Sequence, residues 1–184
     1  MDHVLNVVAT TEKILTDLKY PKDFIEEAKV AALLHNIGTI DGKEGHANRS
    51  YLMVKEYFSK NNIHLKNEEM VLEAIKIHSD GFDTGNIIAL VLIFSDKLDI
   101  KKTRVAKEGY NIIGMRQFQY IDDIIISITQ YTISVDFKAT NGLSKKELEN
   151  FYFIRKVFSA ITSLANKLKI NYKVTLNNDI WAIK

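Results

Sequence analysis

The chain has 184 residues and a formal net charge of +2, with 46% hydrophobic and 26% charged residues, which is the composition of an ordinary globular protein. Its small net charge and scattered basic residues give no basis for nucleic-acid binding. The sequence has no cysteine, so disulfides and thiolate metal sites are excluded and any bound metal must be held by nitrogen and oxygen atoms.

Apolar residues at helical spacing predict a first helix from Asp2 to Leu18. The only proline of the chain, Pro21, ends this pattern. Asp23 then stands three residues before a glutamate, which predicts the N-cap of a second helix. We expect this helix to run to His35 and to stop at Gly38.

Three further helices are predicted in the first half of the chain. One begins near His46, the next spans about Asn67 to His78, and the last runs from Asn86 to about Asp99. The last helix is apolar nearly all round, which is typical of a helix at the centre of a bundle. We therefore predict an all-helical domain over residues 1–102.

The pattern changes after residue 102. Residues 103–118 are compatible with a loop or a short helix. Two runs of alternating apolar residues follow and predict two strands joined by a tight turn near Gln130. The first run is Ile124, Ile126 and Ile128, and the second is Tyr131, Ile133, Val135 and Phe137.

The end of the chain combines a helix with another strand. Ser144 and Glu147 form a capping-box pattern that predicts a long helix to about Leu168. A last strand is predicted from about Tyr172 to Leu176. Residues 103–184 are thus expected to form a small α+β part, with antiparallel strands and one long helix, which makes the whole chain mainly α.

Several polar side chains are predicted at core-facing positions of these helices, namely His3, His35, His78 and Asp96. A buried carboxylate needs a cation or strong hydrogen-bond donors to offset its lost hydration. Imidazole nitrogen and carboxylate oxygen are suitable ligands for a divalent metal, which would satisfy all of them together. Two other interpretations stay open: His35 and Asp96 could be hydrogen-bonded core residues, and His3 an exposed residue near the terminus.

The order of these residues resembles a known family. His3, then Leu34-His35-Asn36-Ile37-Gly38, then Ser95-Asp96-Lys97-Leu98-Asp99 are similar to the signature of the HD domain superfamily of metal-dependent phosphohydrolases. That signature is a histidine, a later His-Asp pair and a distant aspartate, all on helices. The resemblance covers about residues 1–102 and implies a helical bundle with a metal centre.

The resemblance assigns the four metal-ligand positions to His3, His35, Asn36 and Asp96. It compares His46 and His78 with additional histidines that bind a second metal or contact phosphate in some members. Asn36 stands where the family has aspartate, so its amide oxygen can bind a metal but brings no negative charge. Asn36 as a helix C-cap, His46 as the start of a helix and His78 as a core histidine remain alternatives.

The function that the resemblance implies is hydrolysis of a phosphate ester. Asp96 and His35 would carry the chemistry at a divalent ion (Mn, Fe, Co, Zn or Mg), acting on a small phosphorylated metabolite or nucleotide. Lys97, Lys43 and Arg49 could pair with phosphate oxygens if they face the site. One alternative is a catalytically impaired HD-fold protein that binds a ligand or regulates through a degenerate metal site, and another is a purely structural protein.

The sequence also bears on localisation and partners. Its most apolar run, from Ile87 to Phe94, is too short to span a membrane, and the N-terminus shows no signal-peptide pattern, so we expect a cytoplasmic protein without a membrane partner. A homodimer is left open, with the C-terminal sheet and helix as the elements that would form it.

Overall fold

The structure is a computed structural model that describes residues 2–112, 114–140, 143 and 145–182. The chain forms two compact units that divide between Asp96 and Lys97, and we call them the N-terminal unit and the C-terminal unit. The predicted domain bounds, 1–102 and 103–184, stay predictions, because a compact unit is not by itself a domain. None of the described helices is long and apolar enough to cross a membrane.

The N-terminal unit is built from helices, as the apolar spacing predicts. The α-helices are α1 (Asp2–Asp17), α2 (Lys22–Leu34), α3 (His46–Lys60), α4 (Glu68–Ile77) and α5 (Ile87–Leu98), with a short 3₁₀ helix at Ile37–Asp41 between α2 and α3. The second helix begins one residue before the predicted N-cap, since Pro21 occupies the cap position and Asp23 lies in the first turn.

Helix α5 is buried on all sides. Every residue from Asn86 to Ile100 is buried, which confirms the interpretation of its all-round apolar sequence. Asn86 caps the helix, because its side-chain oxygen accepts hydrogen bonds from the backbone N–H groups of Ile88 (3.0 Å) and Ala89 (3.2 Å). The cap fixes the start of the helix that carries Asp96.

The C-terminal unit begins with an irregular segment that contains three 3₁₀ helices, Lys102–Arg104, Lys107–Asn111 and Arg116–Tyr120. Strands β1 (Ile121–Ile128) and β2 (Thr132–Ala139) follow as the predicted antiparallel pair. Their turn lies at residues 129–132, where the backbone N–H of Thr129 donates to the carbonyl of Thr132. The predicted turn near Gln130 is therefore confirmed.

The remaining elements complete a four-stranded sheet in the order β1-β2-β3-β4. Helix α6 (Lys145–Glu149) is short, α7 (Ile154–Leu168) is long, and strands β3 (Asn171–Leu176) and β4 (Asp179–Ile180) end the described chain. The predicted antiparallel arrangement holds for β1 with β2 and for β3 with β4, whereas β3 runs parallel to β2. The connection through α7 permits this, since parallel neighbours require a long crossover.

Helix α7 buries one face, and this face packs with the sheet. Its buried positions recur every three or four residues, which gives the helix a continuous apolar face: Ile154, Val157, Ala160, Ile161, Leu164 and Ala165. The long helix predicted from the capping box is interrupted between α6 and α7, so it is shorter than expected. Ser144, the first residue of that pattern, lies outside the described residues.

Candidate metal centre

Three helices of the N-terminal unit bring two imidazoles and a carboxylate together. His3 lies in the first turn of α1, His35 directly follows α2, and Asp96 lies in the last turn of α5. The Nε2 atom of His3 is 3.2 Å from Oδ1 of Asp96, and the Nε2 atom of His35 is 3.9 Å from the same oxygen. His35 is fully buried and Asp96 is 4% exposed, so this is an interior polar cluster.

The cluster fits a divalent ion. One ligand atom from each of His3, His35 and Asp96 lies within 4.8 Å of the other two. Bonds of about 2.0–2.2 Å at tetrahedral angles place the ligand atoms of one ion about 3.3–3.6 Å apart. The distances from Oδ1 of Asp96 to Nε2 of His3 and of His35, 3.2 Å and 3.9 Å, lie close to this range. A buried carboxylate beside two imidazoles is a donor set that suits zinc, iron, manganese or cobalt.

The backbone orients the buried histidine for this role. The Nδ1 atom of His35 is 2.7 Å from the carbonyl oxygen of Ala32. Because a carbonyl can only accept a hydrogen bond, Nδ1 is the donor, and Nε2 is the ring nitrogen that faces the cluster. Metal-binding histidines are held in this way by a hydrogen bond from the second ring nitrogen, which fixes both tautomer and ring orientation.

Two more histidines extend the cluster. His46, at the start of α3, and His78, directly after α4, approach each other with 2.9 Å between their Nε2 atoms. The four histidine rings follow one another in the order His3, His35, His78 and His46. The separations between consecutive ring centroids are 5.7 Å, 4.9 Å and 4.9 Å. Four of the five histidines of the chain therefore lie in one connected array.

The contact between His46 and His78 brings two equivalent ring nitrogens together. Each ring directs Nδ1 to the backbone carbonyl three residues earlier, at 2.7 Å for His46 and 2.8 Å for His78. Both Nδ1 atoms are thus donors, and two neutral rings would place two Nε2 lone pairs against each other. A shared proton or a bound cation between the two nitrogens removes that repulsion.

Asn36 lies beside the first three residues. Its side-chain nitrogen is 2.7 Å from Nε2 of His35 and 3.4 Å from Nε2 of His3. In this orientation, the amide donates to the lone pair through which His35 would bind a metal. Rotation of the amide by 180° presents its oxygen instead, so Asn36 either occupies that lone pair or adds an oxygen ligand.

A close backbone contact positions the array. A Cβ atom at Gly38 would lie 2.5 Å from the backbone nitrogen of Ser50 and 2.6 Å from the carbonyl oxygen of His46, so only glycine lets this segment pack on the start of α3. The N–H of Gly38 donates to the Ser50 hydroxyl at 2.9 Å. The sequence identified Gly38 only as a helix stop, because glycine at a helix end has that more common explanation.

A buried hydroxyl pair connects the helices that carry His3 and Asp96. The hydroxyl of Thr11 on α1 lies 3.2 Å from that of Ser95 on α5, and both side chains are buried. Ser95 directly precedes Asp96, and Thr11 lies further along the helix that begins with His3. The sequence analysis did not identify this pair, because its only signal is a hydroxyl in a core-facing position of a helix.

The three predicted phosphate-binding residues have different surroundings. Lys43 is exposed, and its carbonyl accepts the hydrogen bond from His46. Arg49 donates to the backbone carbonyls of Gly38 (3.0 Å), Glu44 (2.6 Å) and Gly42. Lys97 is 4% exposed, and its amino group lies 5.7 Å from the ring centroid of Phe153 within the C-terminal unit. Their role in binding a substrate stays a prediction.

Comparison with protein families agrees with this geometry. The HD domain family matches residues 1–106, more than half of the chain, and the chain belongs to that family. The family supports metal binding and the metal-dependent phosphohydrolase superfamily as the class of protein. Comparison with curated proteins gives no match.

Proposed function

We propose that this protein is a metal-dependent phosphohydrolase that acts on a small phosphorylated metabolite or nucleotide through a metal-activated water. The observation that carries the proposal is the convergence of one ligand atom each from His3, His35 and Asp96 within 4.8 Å, in an HD domain. A structural role alone leaves unexplained why two imidazoles converge on the buried carboxylate of Asp96.

Each residue of the cluster would have a role that follows from its chemistry. His3 and His35 would bind the ion through Nε2 and Asp96 through Oδ1, with Asn36 adding its amide oxygen after rotation. When bound, a divalent ion polarises a phosphoryl oxygen and makes water more acidic. The carboxylate of Asp96 supplies the negative charge that binds the ion, and the hydrogen bond from His35 to Ala32 keeps its ring in place.

The second pair of histidines would handle the phosphate side of the reaction. The facing Nε2 atoms of His46 and His78 would bind a second cation through their lone pairs, or a phosphate oxygen if they donate to it. Lys43 lies three residues before His46 and is exposed, so it is the best placed of the three predicted cations to reach a phosphate entering from solvent.

The test is a phosphatase screen of the purified protein with Mn²⁺, Co²⁺, Fe²⁺, Zn²⁺ and Mg²⁺ against nucleotides and phosphorylated sugars. We expect metal-dependent release of phosphate from wild type and its loss in D96N, which keeps the shape of the side chain and removes its charge. Asp83 is exposed and lies outside the cluster, so D83N is a matched control that should retain activity. Activity that survives in D96N would exclude the mechanism.

A second candidate function is a ligand-binding or regulatory HD protein with a weakened metal site. The contact of 2.7 Å between the Asn36 amide and Nε2 of His35 favours it, because that amide competes with the metal for His35. The substitution N36D separates the two functions. A wild-type protein that binds Mn²⁺ or a nucleotide without turnover, together with turnover in N36D, identifies the binding protein, whereas turnover in wild type identifies the enzyme.

A further inference from the structure

The free edge of the C-terminal sheet consists of strand β1. Among the strands that the structure describes, it pairs only with β2. Its sequence, Ile121-Asp122-Asp123-Ile124-Ile125-Ile126-Ser127-Ile128, contains five isoleucines. The opposite edge is β4, which has only two residues. A long apolar edge strand is a template for pairing with another strand, and proteins usually blunt such edges.

The register shows which backbone groups face outward. The hydrogen bond from Thr129 to Thr132 makes that pair a hydrogen-bonded one, so the pairs along the ladder alternate from there. The N–H and C=O groups of Ile124, Ile126 and Ile128 therefore point away from β2. Within the described part of the chain, no other backbone group or side chain pairs with the N–H groups of Ile126 and Ile128.

The two halves of this edge differ. The first half is protected from pairing with another strand, because the carboxylate of Asp123 accepts a hydrogen bond from the N–H of Ile124 at 2.9 Å. It also carries charge, since Asp123 and Asp122 form ion pairs with Lys101 (3.6 Å) and Lys102 (2.5 Å). The second half, from Ile126 to Ile128, has neither charge nor proline. Near it, the side chains of Ile125 and Tyr131 are 51% and 68% exposed.

We propose that the second half of β1 pairs with the same segment of a second copy, in an antiparallel arrangement about a two-fold axis at Ser127. The pairing places Ile126 opposite Ile128 of the second copy and Ile128 opposite its Ile126. Four backbone hydrogen bonds then satisfy the free groups of both edges, and a continuous eight-stranded sheet forms from two sheets of four.

The charges decide between the two directions in which two copies could pair. In a parallel pairing in register, Asp122 and Asp123 would face the same residues of the other copy, and like charges directly opposite are destabilising. In the antiparallel pairing about Ser127, Asp123 lies opposite Tyr131 of the second copy, while Ile125 lies opposite its Thr129. Each Asp123 also keeps its hydrogen bond to Ile124, because the pairing does not use that N–H.

The experiment measures the mass of the full chain in solution by light scattering over a concentration series. We expect a dimer for wild type and at least a 10-fold weaker dimer for S127E, since the axis at Ser127 places the two introduced carboxylates side by side. Ser134 lies opposite Ser127 on the interior strand β2, so S134E adds the same charge to the same face without reaching the edge and should remain dimeric.

A single cysteine tests the register directly, because the chain has no cysteine of its own. The two Ser127 positions would form a non-hydrogen-bonded pair with Cα atoms about 4.5 Å apart, within the range of a disulfide. Under mild oxidation, S127C should give a covalent dimer and S134C should not. A monomeric wild type would overturn the proposal. A wild-type dimer with no S127C cross-link, and equal dimerisation of S127E and S134E, would overturn it as well.

Discussion

Two polar networks of this protein, one in each unit, lie in opposite surroundings. In the N-terminal unit, the interior holds His35, His78 and Asp96, which no requirement of helix packing explains. In the C-terminal unit, the network around Asp136 lies on the solvent-facing side of a sheet, where it accepts hydrogen bonds from Thr175 and Asn178. Because burial makes polar groups costly, the interior set indicates function and the surface set indicates local stability.

The largest expected effect is on metal binding, and it should distinguish His35, which lies in the histidine array, from His64, which does not. We predict that H35Q weakens Mn²⁺ or Co²⁺ binding at least about 100-fold, because even a hydrogen-bond partner of a metal ligand is worth about 10–100-fold. H64Q is the matched control, since His64 is exposed in the loop between α3 and α4, outside the array, and it should bind the metal like wild type. Titration calorimetry measures both, and equal affinities would remove His35 from the metal centre.

A second expected effect concerns the backbone contact that holds the array together. We predict that G38A lowers the free energy of unfolding of the N-terminal unit by about 1–3 kcal/mol, because the added methyl group overlaps backbone atoms of Ser50 and His46. Gly42 serves as the comparison. A Cβ there meets no atom within 4 Å, so G42A incurs only the cost of its backbone conformation at φ 95°.

Denaturant unfolding followed by circular dichroism at 222 nm measures both variants. We expect G38A to lower the free energy of unfolding of the N-terminal unit more than G42A does. The same loss in both would show that the close approach of Gly38 to α3 is not what stabilises this segment.

A smaller effect is expected from the buried hydroxyl pair. We predict that T11V costs about 1–3 kcal/mol of unfolding free energy, because it leaves the buried hydroxyl of Ser95 without its partner. The double variant T11V/S95A should lose less than the sum of the two single variants, since neither hydroxyl is then left unpaired. A double-mutant cycle from denaturant unfolding checks this, and strict additivity would contradict the contact.

The smallest effect is expected in the C-terminal unit and depends on pH. Burial raises the pKa of Asp136, but hydrogen bonds from Lys138, Thr175 and the backbone of Asn178 outweigh burial and hold this pKa below its usual value. A carboxyl group with a lower pKa in the folded state stabilises the fold above its unfolded pKa of about 3.9, and this contribution is lost as pH falls through the folded value.

The variant D136N should therefore lower stability at neutral pH by about 1 kcal/mol and match wild type at the acid end. Trp181 is the only tryptophan, and its ring is buried 5.3 Å from that of Phe137, so its fluorescence reports unfolding of the C-terminal unit. A difference between D136N and wild type that stays constant from neutral to acid pH would contradict the linkage.

Much of the fold was predictable because the elements obey local rules. The apolar spacing predicted five helices in the N-terminal unit, and alternation predicted β1, β2 and the turn between them. The parallel pairing of β2 with β3 was not predictable, since both directions bury the same faces and only the path of α7 decides between them. The break between α6 and α7 also gave no local signal.

The candidate site was predictable in its residues but not in its contacts. The types and order of His3, His35 and Asp96 carried the family resemblance, and the family match supports it. The facing Nε2 atoms of His46 and His78, and the approach of the Asn36 amide to His3, depend on how the helix ends meet in space. No spacing rule reaches that far, because these contacts join residues from different helices.

The central claim is that His3, His35 and Asp96 bind one divalent ion, and anomalous diffraction from crystals soaked in Mn²⁺ tests it most directly. The account predicts an anomalous peak about 2.0–2.3 Å from Nε2 of His3, Nε2 of His35 and a carboxylate oxygen of Asp96 in wild type, and its absence in D96N. A folded wild-type protein with no peak between these three side chains at saturating Mn²⁺ would contradict the account.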